Sequence, residues 1–373
     1  MTDFSFDRLR RYPDVEAENL FAVDASDRLI LDEAAAALEA AGPGEVVVLE
    51  DHYGALTLAA SASGARGIRT HQDALSGELA LAHNAADLGL SDAYRSLELG
   101  EELLAGARVV LLQLPRSLAA LDELAGAVAR FASPDVRVFA GGRIKHMTTA
   151  MNEVLARHFG ELEVSRARQK SRVLIASAPV RGDSGWPHTE VHEDLGLTVC
   201  AHGAAFAGTA IDIGTRYLLG FLDEMKPDAS TAIDLGCGTG VLAAALARRR
   251  PALRVLATDQ SAAAVASARA TAAANDVADR VSVVRDDALA GRPDASAELI
   301  LLNPPFHIGA SVHAGIALKL FEDAARVLAP GGELWTVWNT HLGYRPALTR
   351  IVGPTRQVAR NAKFTVTVST RSP

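Results

Sequence analysis

Short apolar strands alternating with helical patterns predict an α/β chain of two tandem domains, each built around a mostly parallel sheet. Three observations carry this expectation. The strand–helix rhythm runs through both halves of the chain. A Gly-, Pro- and polar-rich stretch, Arg181-Gly182-Asp183-Ser184-Gly185-Trp186-Pro187, interrupts it near the middle. Motifs of the first half then return in the same order in the second. The predicted division is a first domain over 1–180, a linker over 181–192 and a second domain over 193–373.

The 373 residues, 49% of them hydrophobic, supply ample core for two or three domains. A net charge of -8 argues against a protein coated in nucleic acid. It leaves room for a local basic groove, because phosphate affinity depends on where charge sits. Two cysteines, Cys200 and Cys237, the second inside a glycine loop, read as free thiols of a reducing compartment. Met1 to Arg11 mixes acids, bases and aromatics and does not read as a signal peptide. No apolar run approaches the ~20 residues that span a bilayer. A soluble, cytoplasmic protein without a membrane partner is expected.

In the first half, residues 8–22 form a polar and aromatic arm with Tyr12-Pro13. Residues 27–41 carry apolar positions at helical spacing and stop at Gly42-Pro43-Gly44. Val46-Val47-Val48-Leu49 is a buried strand, and Asp51-His52-Tyr53-Gly54 turns it into a helix from Ala55. Only Gly54 there lets backbone approach a ligand, so a structural role is expected for Asp51, His52 and Tyr53. A strand at 109–112 closes on Gln113-Leu114-Pro115. Helix (118–131), strand (136–139) and helix (147–159) follow, and strands at 162–167 and 172–178 finish the unit. His188 and His192 have the i, i+4 spacing of helical zinc ligands, but lack helical context and a third ligand, so no metal is expected.

The second half opens with a strand at 197–201 and a helix start near 213, flanked by the polar candidates Thr209, Asp212 and Thr215. The strand Ala232-Ile233-Asp234-Leu235 then runs into Gly236-Cys237-Gly238-Thr239-Gly240, and a helix follows from Val241 to Arg250. Glycines at such a turn let backbone come against a ligand, and the helix start adds amide donors. The dinucleotide fingerprint needs a further glycine where Val241 stands, so the spacing is that of S-adenosylmethionine (SAM) sites. The next strand (253–257) ends at Asp259, placed to hold two ribose hydroxyls. Its competing role, capping the following helix, is open to Ser261 instead.

A third strand (281–284) closes on Asp286-Asp287-Ala288, an acid to receive the adenine amine, with Asp287 favoured over Asp286. The fourth, Leu299-Ile300-Leu301-Leu302, ends in Asn303-Pro304-Pro305-Phe306. Two prolines hold that corner extended. The Asn303 side chain and the Pro304 carbonyl are then free to accept from one incoming NH2 group, and Phe306 offers a face for a ring. The catalytic candidates are Asn303, Pro304 and Phe306. The cofactor candidates are Asp234, Gly236, Cys237, Gly238, Gly240, Asp259, Gln260, Asp286, Asp287, Ala288 and Asn303. A helix (312–328) and strands at 334–338, 352–359 and 364–368 complete the domain.

The order of glycine loop, ribose acid, adenine acid and Asn-Pro-Pro-Phe corner resembles the class I SAM-dependent methyltransferases with a Rossmann-like fold. Arg11-Tyr12-Pro13, Leu112-Gln113-Leu114-Pro115, Ile211-Asp212-Ile213-Gly214-Thr215-Arg216, Asn303-Pro304-Pro305-Phe306-His307 and Asn361-Ala362-Lys363-Phe364 resemble the ribosomal RNA guanine-N2 methyltransferases of the RlmG and RsmC type over nearly the whole chain. The arm and tail favour the large-subunit (23S) branch over the small-subunit (16S) one. The resemblance implies methyl transfer from SAM to the exocyclic N2 amine of a guanine, with ribosomal RNA or a ribosomal subunit as partner. Adenine-N6 or glutamine methylation, and an RNA-binding protein with a vestigial SAM site, are the alternatives.

Two copies of one fold are inferred, the first degenerate. Val47-Val48-Leu49-Glu50-Asp51 is set against Ala232-Ile233-Asp234-Leu235-Gly236, Leu111 to Pro115 against Leu301 to Pro305, and Ala167-Arg168-Gln169-Lys170 against Ala359 to Lys363. Without the glycines and the corner, the first copy is expected to bind no SAM. Arg166, Arg168, Lys170 and Arg172 alternate, which on an extended chain puts them on one face, with Arg143 and Lys145 nearby. That stripe reads equally as an RNA-backbone track or as a solvated strand face. His307 is a further candidate for RNA contact. A built-in pseudo-dimer suggests a monomer.

Overall fold

The structure, a computed structural model, describes residues 4–183, 185–305 and 310–372. The chain divides into two compact units, Met1–Trp186 and Pro187–Pro373. The first contains α1 (Ala25–Ala40), β1 (Val46–Leu49), α2 (Ala55–Ala62), β2 (Ile68–His71), α3 (Leu75–Leu88), β3 (Tyr94–Ser96), α4 (Glu101–Leu104) and β4 (Val109–Gln113). It continues with α5 (Leu118–Phe131), β5 (Arg137–Arg143), α6 (Thr149–His158), β6 (Phe159–Val164) and β7 (Ser171–Pro179).

The second unit contains β8 (His188–His192), β9 (Leu197–Ala201), α7 (Ile213–Leu219), β10 (Thr231–Leu235), α8 (Val241–Arg249), β11 (Arg254–Asp259), α9 (Ala262–Ala274), β12 (Val281–Arg285) and β13 (Ala297–Leu302). It ends with α10 (Ala310–Val327), β14 (Leu328–Asn339), α11 (Arg345–Ile351), β15 (Thr355–Arg360) and β16 (Phe364–Thr370). Among the described residues no helix is long and apolar enough to cross a membrane.

The sheets run β3-β2-β1-β4-β5-β7-β6 and β12-β11-β10-β13-β14-β16-β15. Numbered from its own first sheet strand, each is 3-2-1-4-5-7-6, with the seventh strand antiparallel to its neighbours. The chain is therefore a duplicated fold. The register agrees with the expected match of Leu111 to Pro115 with Leu301 to Pro305 and shifts the other, of Val47 to Asp51 with Ala232 to Gly236, by one residue. Leu49 pairs with Leu112 as Leu235 pairs with Leu302, so Leu49 matches Leu235 and Gln113 matches Asn303. Sequence similarity alone has no such ruler, because runs of valine and leucine align equally well one residue off.

The central strands form because they are continuous apolar runs; all four residues of β1 and all but Glu298 of β13 are buried. Helix starts are capped as their sequences allow. Asp24 and Asp27 form a capping box on α1, and Ser117 and Ser261 cap α5 and α9. In the first unit the N-terminal arm is pinned to α3 by Asn84, which accepts from Arg10 N at 2.9 Å and donates to the Arg10 carbonyl at 2.8 Å. In the second, Thr271 of α9 holds Cys200 of β9 through the same two backbone groups, at 3.0 and 3.2 Å.

Two expectations change. The stretch read as a linker is half sheet: β8 pairs antiparallel with β9, and the division between units falls at 186/187. His188 and His192 sit on that strand about 13 Å apart along it, too far to share an ion. The basic stripe is not formed either. β6 ends at Val164 and β7 begins at Ser171, and between them Gln169 and Lys170 turn the chain with φ of 46° and 59°. Arg166, Arg168 and Lys170 thus lie in the connection between β6 and β7, with Arg168 bridged to Ser171, and only Arg172 is in a strand, so they share no strand face.

Candidate active site

The four strands β12-β11-β10-β13 run parallel, so their carboxyl ends meet at one edge. The loop leaving β10 has its glycines in the left-handed region, with φ of 69° at Gly236, 52° at Gly238 and 76° at Gly240. They do different work. A Cβ on Gly240 would lie 2.8 Å from Ala268 Cβ, so this glycine lets α8 and α9 approach. A Cβ on Gly236 or Gly238 would meet nothing within 4 Å, so these present bare backbone to open space. The loop is held from β11, where the Thr258 carbonyl accepts from Gly236 N and Cys237 N, both at 2.9 Å.

Asp259 completes that hold. Its Oδ2 accepts from Gly238 N at 3.0 Å and its Oδ1 from Ser261 N at 3.0 Å. Ser261 Oγ takes the helix cap from Ala264 N, which settles the choice between the two cap candidates. Asp234 lies buried beneath the loop and accepts from Ala243 N at 2.9 Å in the first turn of α8. Burial pushes its carboxyl up to about 7, with the Asp259 charge adding to the shift. Asp234 is thus a buried support of the loop. Burial, then Asp259 and Asp234, raise the Cys237 thiol well above its usual range, so it stays protonated.

The two acids after β12 are both engaged. Buried Asp286 accepts from Gly291 N at 3.1 and 3.2 Å, and Asp287 pairs with Lys319 at 2.5 Å. Ala288 turns the chain with φ 56°. Gln260 accepts from Arg285 Nε through its carbonyl and keeps its side chain exposed.

At the end of β13, Asn303 Nδ2 donates to Asp212 Oδ2 and Thr215 Oγ1, both at 2.9 Å. Asn303 Oδ1 is buried and has no hydrogen-bond partner among the described residues. Pro304 is buried. Phe306 and His307 lie outside the described residues. Of the polar candidates around the start of α7, Asp212 and Thr215 thus join the corner, while Thr209 turns to Glu190, 2.8 Å away. The sequence signal for the first two was the pattern Asp212-Ile213-Gly214-Thr215, a helix cap whose second task shows only when β13 arrives beside it.

The first unit has the same edge with other contents. Glu50, His52 and Gly54 match the three glycines by register and share their backbone, with φ of 58°, 60° and 96°. Gln72 stands where Asp259 stands, and Leu99-Gly100 where Asp286-Asp287 stand. Gly77 of α3 closes on the loop so tightly that a Cβ there would lie 2.5 Å from Gln72 Oε1 and 2.8 Å from the His52 carbonyl. Asp51 is buried and accepts from Leu56 N and Thr57 N at 2.7 and 2.8 Å. The N-terminal arm folds onto this loop: Tyr53 Oη donates to Asp14 at 2.6 Å, and the Arg11 guanidinium sits 4.5 Å from the Tyr53 ring centroid.

Arg143, at the end of β5, pairs with Ser171, and Ile144 N donates to the Lys170 carbonyl. Lys145 and Lys170 are therefore neighbours at one turn. Arg168 is drawn toward Asp32 and Glu33, at 3.2 and 3.6 Å. Among the described residues no group of three or more His, Cys, Asp or Glu side chains forms a metal site.

Comparison with known proteins matches residues 1–180 to the family model of the RLMG N-terminal domain and residues 196–368 to that of the methyltransferase small domain. Ribosomal RNA large subunit methyltransferase G of Pseudomonas aeruginosa is 36% identical over 372 residues, covering 98% of this chain and 97% of its own. The protein of that name from Streptomyces avermitilis is 35% identical over 367 residues, covering 96% and 95%. Among solved structures, a T. thermophilus 16S rRNA N2 methyltransferase (RsmC) in complex with AdoMet and guanosine superposes with a TM-score of 0.74 at 21% identity, covering 93% of this chain and 92% of that one. That likeness extends the shared fold to both units.

Proposed function

The chain belongs to the ribosomal RNA large subunit methyltransferase G family, and on that premise we propose that it methylates the exocyclic N2 amine of a guanine in 23S ribosomal RNA, using SAM. One observation carries the reading to an amine: Asn303 Oδ1 at the end of β13, beside the open face of the glycine loop, is buried and without a hydrogen-bond partner among the described residues. An orphan buried acceptor costs free energy unless something donates to it. The residues fit SAM, because Gly236 and Gly238 leave bare backbone where a side chain would stand, and Asp259 lies at the next strand end. When bound, SAM supplies an electrophilic methyl group on a sulfonium and leaves as S-adenosylhomocysteine.

The chain's own residues do the rest by placement. Gly236 and Gly238 admit the amino-acid part of the cofactor, Asp259 takes the ribose, and Asp286, Asp287 and Ala288 frame the adenine. The guanine N2 lone pair is delocalised into the ring, so this nitrogen is a weak nucleophile. Asn303 Oδ1 and the Pro304 carbonyl accept its two hydrogens and aim it, which lowers the barrier mainly through orientation. The same oxygens stabilise positive charge developing on nitrogen. The proton then passes to water. A paired guanine cannot reach such a corner, so the base is unpaired or flipped out. Phe306 stacks on it, and His307 contacts RNA.

The first unit serves RNA recognition in this reading, through Arg143, Lys145 and the Arg166-to-Arg172 turn. Cations gather there: desolvation, then the charges of Arg116, Lys145 and Arg143, lower the His146 pKa, with Asp24 opposing them. The protein acts as a cytoplasmic monomer. The test supplies tritiated SAM with unmodified large- and small-subunit ribosomal RNA in separate reactions, followed by digestion to nucleosides. Label in N2-methylguanosine from the large-subunit RNA is expected. The same nucleoside from the small-subunit RNA alone moves the substrate. Label in another nucleoside or in protein removes the N2 assignment.

A further inference from the structure

We propose that Asp212 is a positioning residue that fixes which end of the Asn303 amide faces the substrate amine; the proposal rests on the reading above. A primary amide can turn over and exchange its oxygen for its NH2 with little change in shape. Only one orientation accepts hydrogens from a substrate NH2, so something must select it.

The selection is written in donors and acceptors. Asp212 Oδ2 already receives Gly214 N at 2.9 Å and Thr215 N at 3.2 Å, as the cap of α7. A carboxylate accepts and does not donate. The amide end facing it must therefore be NH2, at 2.9 Å, with Thr215 Oγ1 receiving the second hydrogen at 2.9 Å. The flipped amide would press its oxygen against the carboxylate in a part-buried site. Oδ1 is thus left over as an acceptor, buried and unpartnered among the described residues. Gly214 gives the arrangement its room, since a Cβ there would stand 3.0 Å from Asp212 Oδ2 and 3.3 Å from Asn303 Oδ1.

The first unit supplies the internal control. Gln113 holds the place of Asn303, and its Nε2 donates to Asp27 Oδ1, three residues past the cap Asp24 as Thr215 is three past Asp212. There the amide also has the Ser26 hydroxyl beside it, 3.2 Å from both its oxygen and its Nε2, a hydroxyl that itself donates to Asp24 Oδ1 at 2.5 Å. The tie between strand end and helix cap is therefore common architecture. What distinguishes the second unit is that no hydroxyl stands beside its amide oxygen among the described residues, so that acceptor is buried and unspent.

The test compares Asp212→Ser and Asp212→Asn with wild type. Serine and asparagine both cap helices well, so a purely structural role predicts little change in turnover for either. The proposal predicts that Asp212→Ser lowers kcat about 10- to 100-fold, with Asp212→Asn between it and wild type. SAM affinity should stay within about twofold, because the cofactor contacts are elsewhere.

A second readout needs no turnover. With asparagine-selective nitrogen-15 labelling, the Asn303 side-chain NH2 pair is identified by its loss in Asn303→Ala. In the cofactor-free protein that pair should be slow to exchange, and Asp212→Ser should shift it and speed its exchange. Wild-type turnover in Asp212→Ser, or an unmoved Asn303 pair, overturns the proposal. If wild type methylates another amine, the functional reading falls, while the NH2 signal still decides the role of Asp212.

Discussion

At the scale of residues, buried carboxylates do quiet work in both units. Asp234 under the glycine loop and Asp27 beside Gln113 are each pushed up to about 7, in both cases chiefly by burial. An unfolded Asp titrates near 4. Between about pH 4 and 7 the folded protein therefore holds protons the unfolded chain has released, and its stability falls as pH rises through that window. Asp234→Asn and Asp27→Asn should each flatten the curve between pH 4 and 7, read as urea midpoints. The site residues separate by assay. Asp259→Ala should weaken SAM at least about tenfold, because it loses the bond that holds Gly238 and the acceptor proposed for the ribose. Asn303→Ala should abolish turnover while leaving SAM affinity within about twofold, which a titration and a turnover assay on one preparation would show.

At the scale of elements, the glycine loop shows that one motif can hold two kinds of glycine. Gly240→Ala should destabilise the second unit by about 2–4 kcal/mol, through left-handed strain and overpacking against Ala268. Gly236→Ala has the strain without the clash, and should cost about 1–2 kcal/mol while still impairing SAM binding. Denaturant midpoints and SAM titrations on the two variants distinguish them; equal stability loss would contradict this division. Elements were legible where burial and hydrophobicity coincide. The apolar strands β1, β4, β10 and β13 announce themselves. β2 does not, because Ile68-Arg69-Thr70-His71 reads as polar yet is buried throughout. The Arg69 guanidinium is hidden by donating to the carbonyls of Gly44, Glu102 and Ala105 at 2.7–3.0 Å. Those partners are distant in sequence and invisible to a local pattern. The basic stripe failed for the opposite reason: alternation marks one face only on a continuous strand, and the chain turns at Gln169 and Lys170.

At the scale of the whole molecule, one topology occurs twice and one edge of it is kept open once. The left-handed positions at Glu50 and His52 carry side chains where Gly236 and Gly238 carry none, and Tyr53 is tied down by Arg11 and Asp14. Calorimetric titration of the full chain should give one SAM per chain, and Asp259→Ala should leave no second, unaffected site. A stoichiometry of two would show that the first unit binds cofactor after all. By itself the sequence determined the α/β class, the duplication, the order of the site motifs along the chain, and the identity of the corner, because strand termini and glycine spacing are local and hydrophobic runs mark buried strands. Only the tertiary structure decided the register between the halves, the turn that scatters the basic residues, the engagement of Asp286 and Asp287, and the meeting of Asp212 with Asn303 across 91 positions. Each of these depends on a hydrogen bond or a strand pairing between groups far apart in the chain, and no local pattern encodes which donor will find which acceptor.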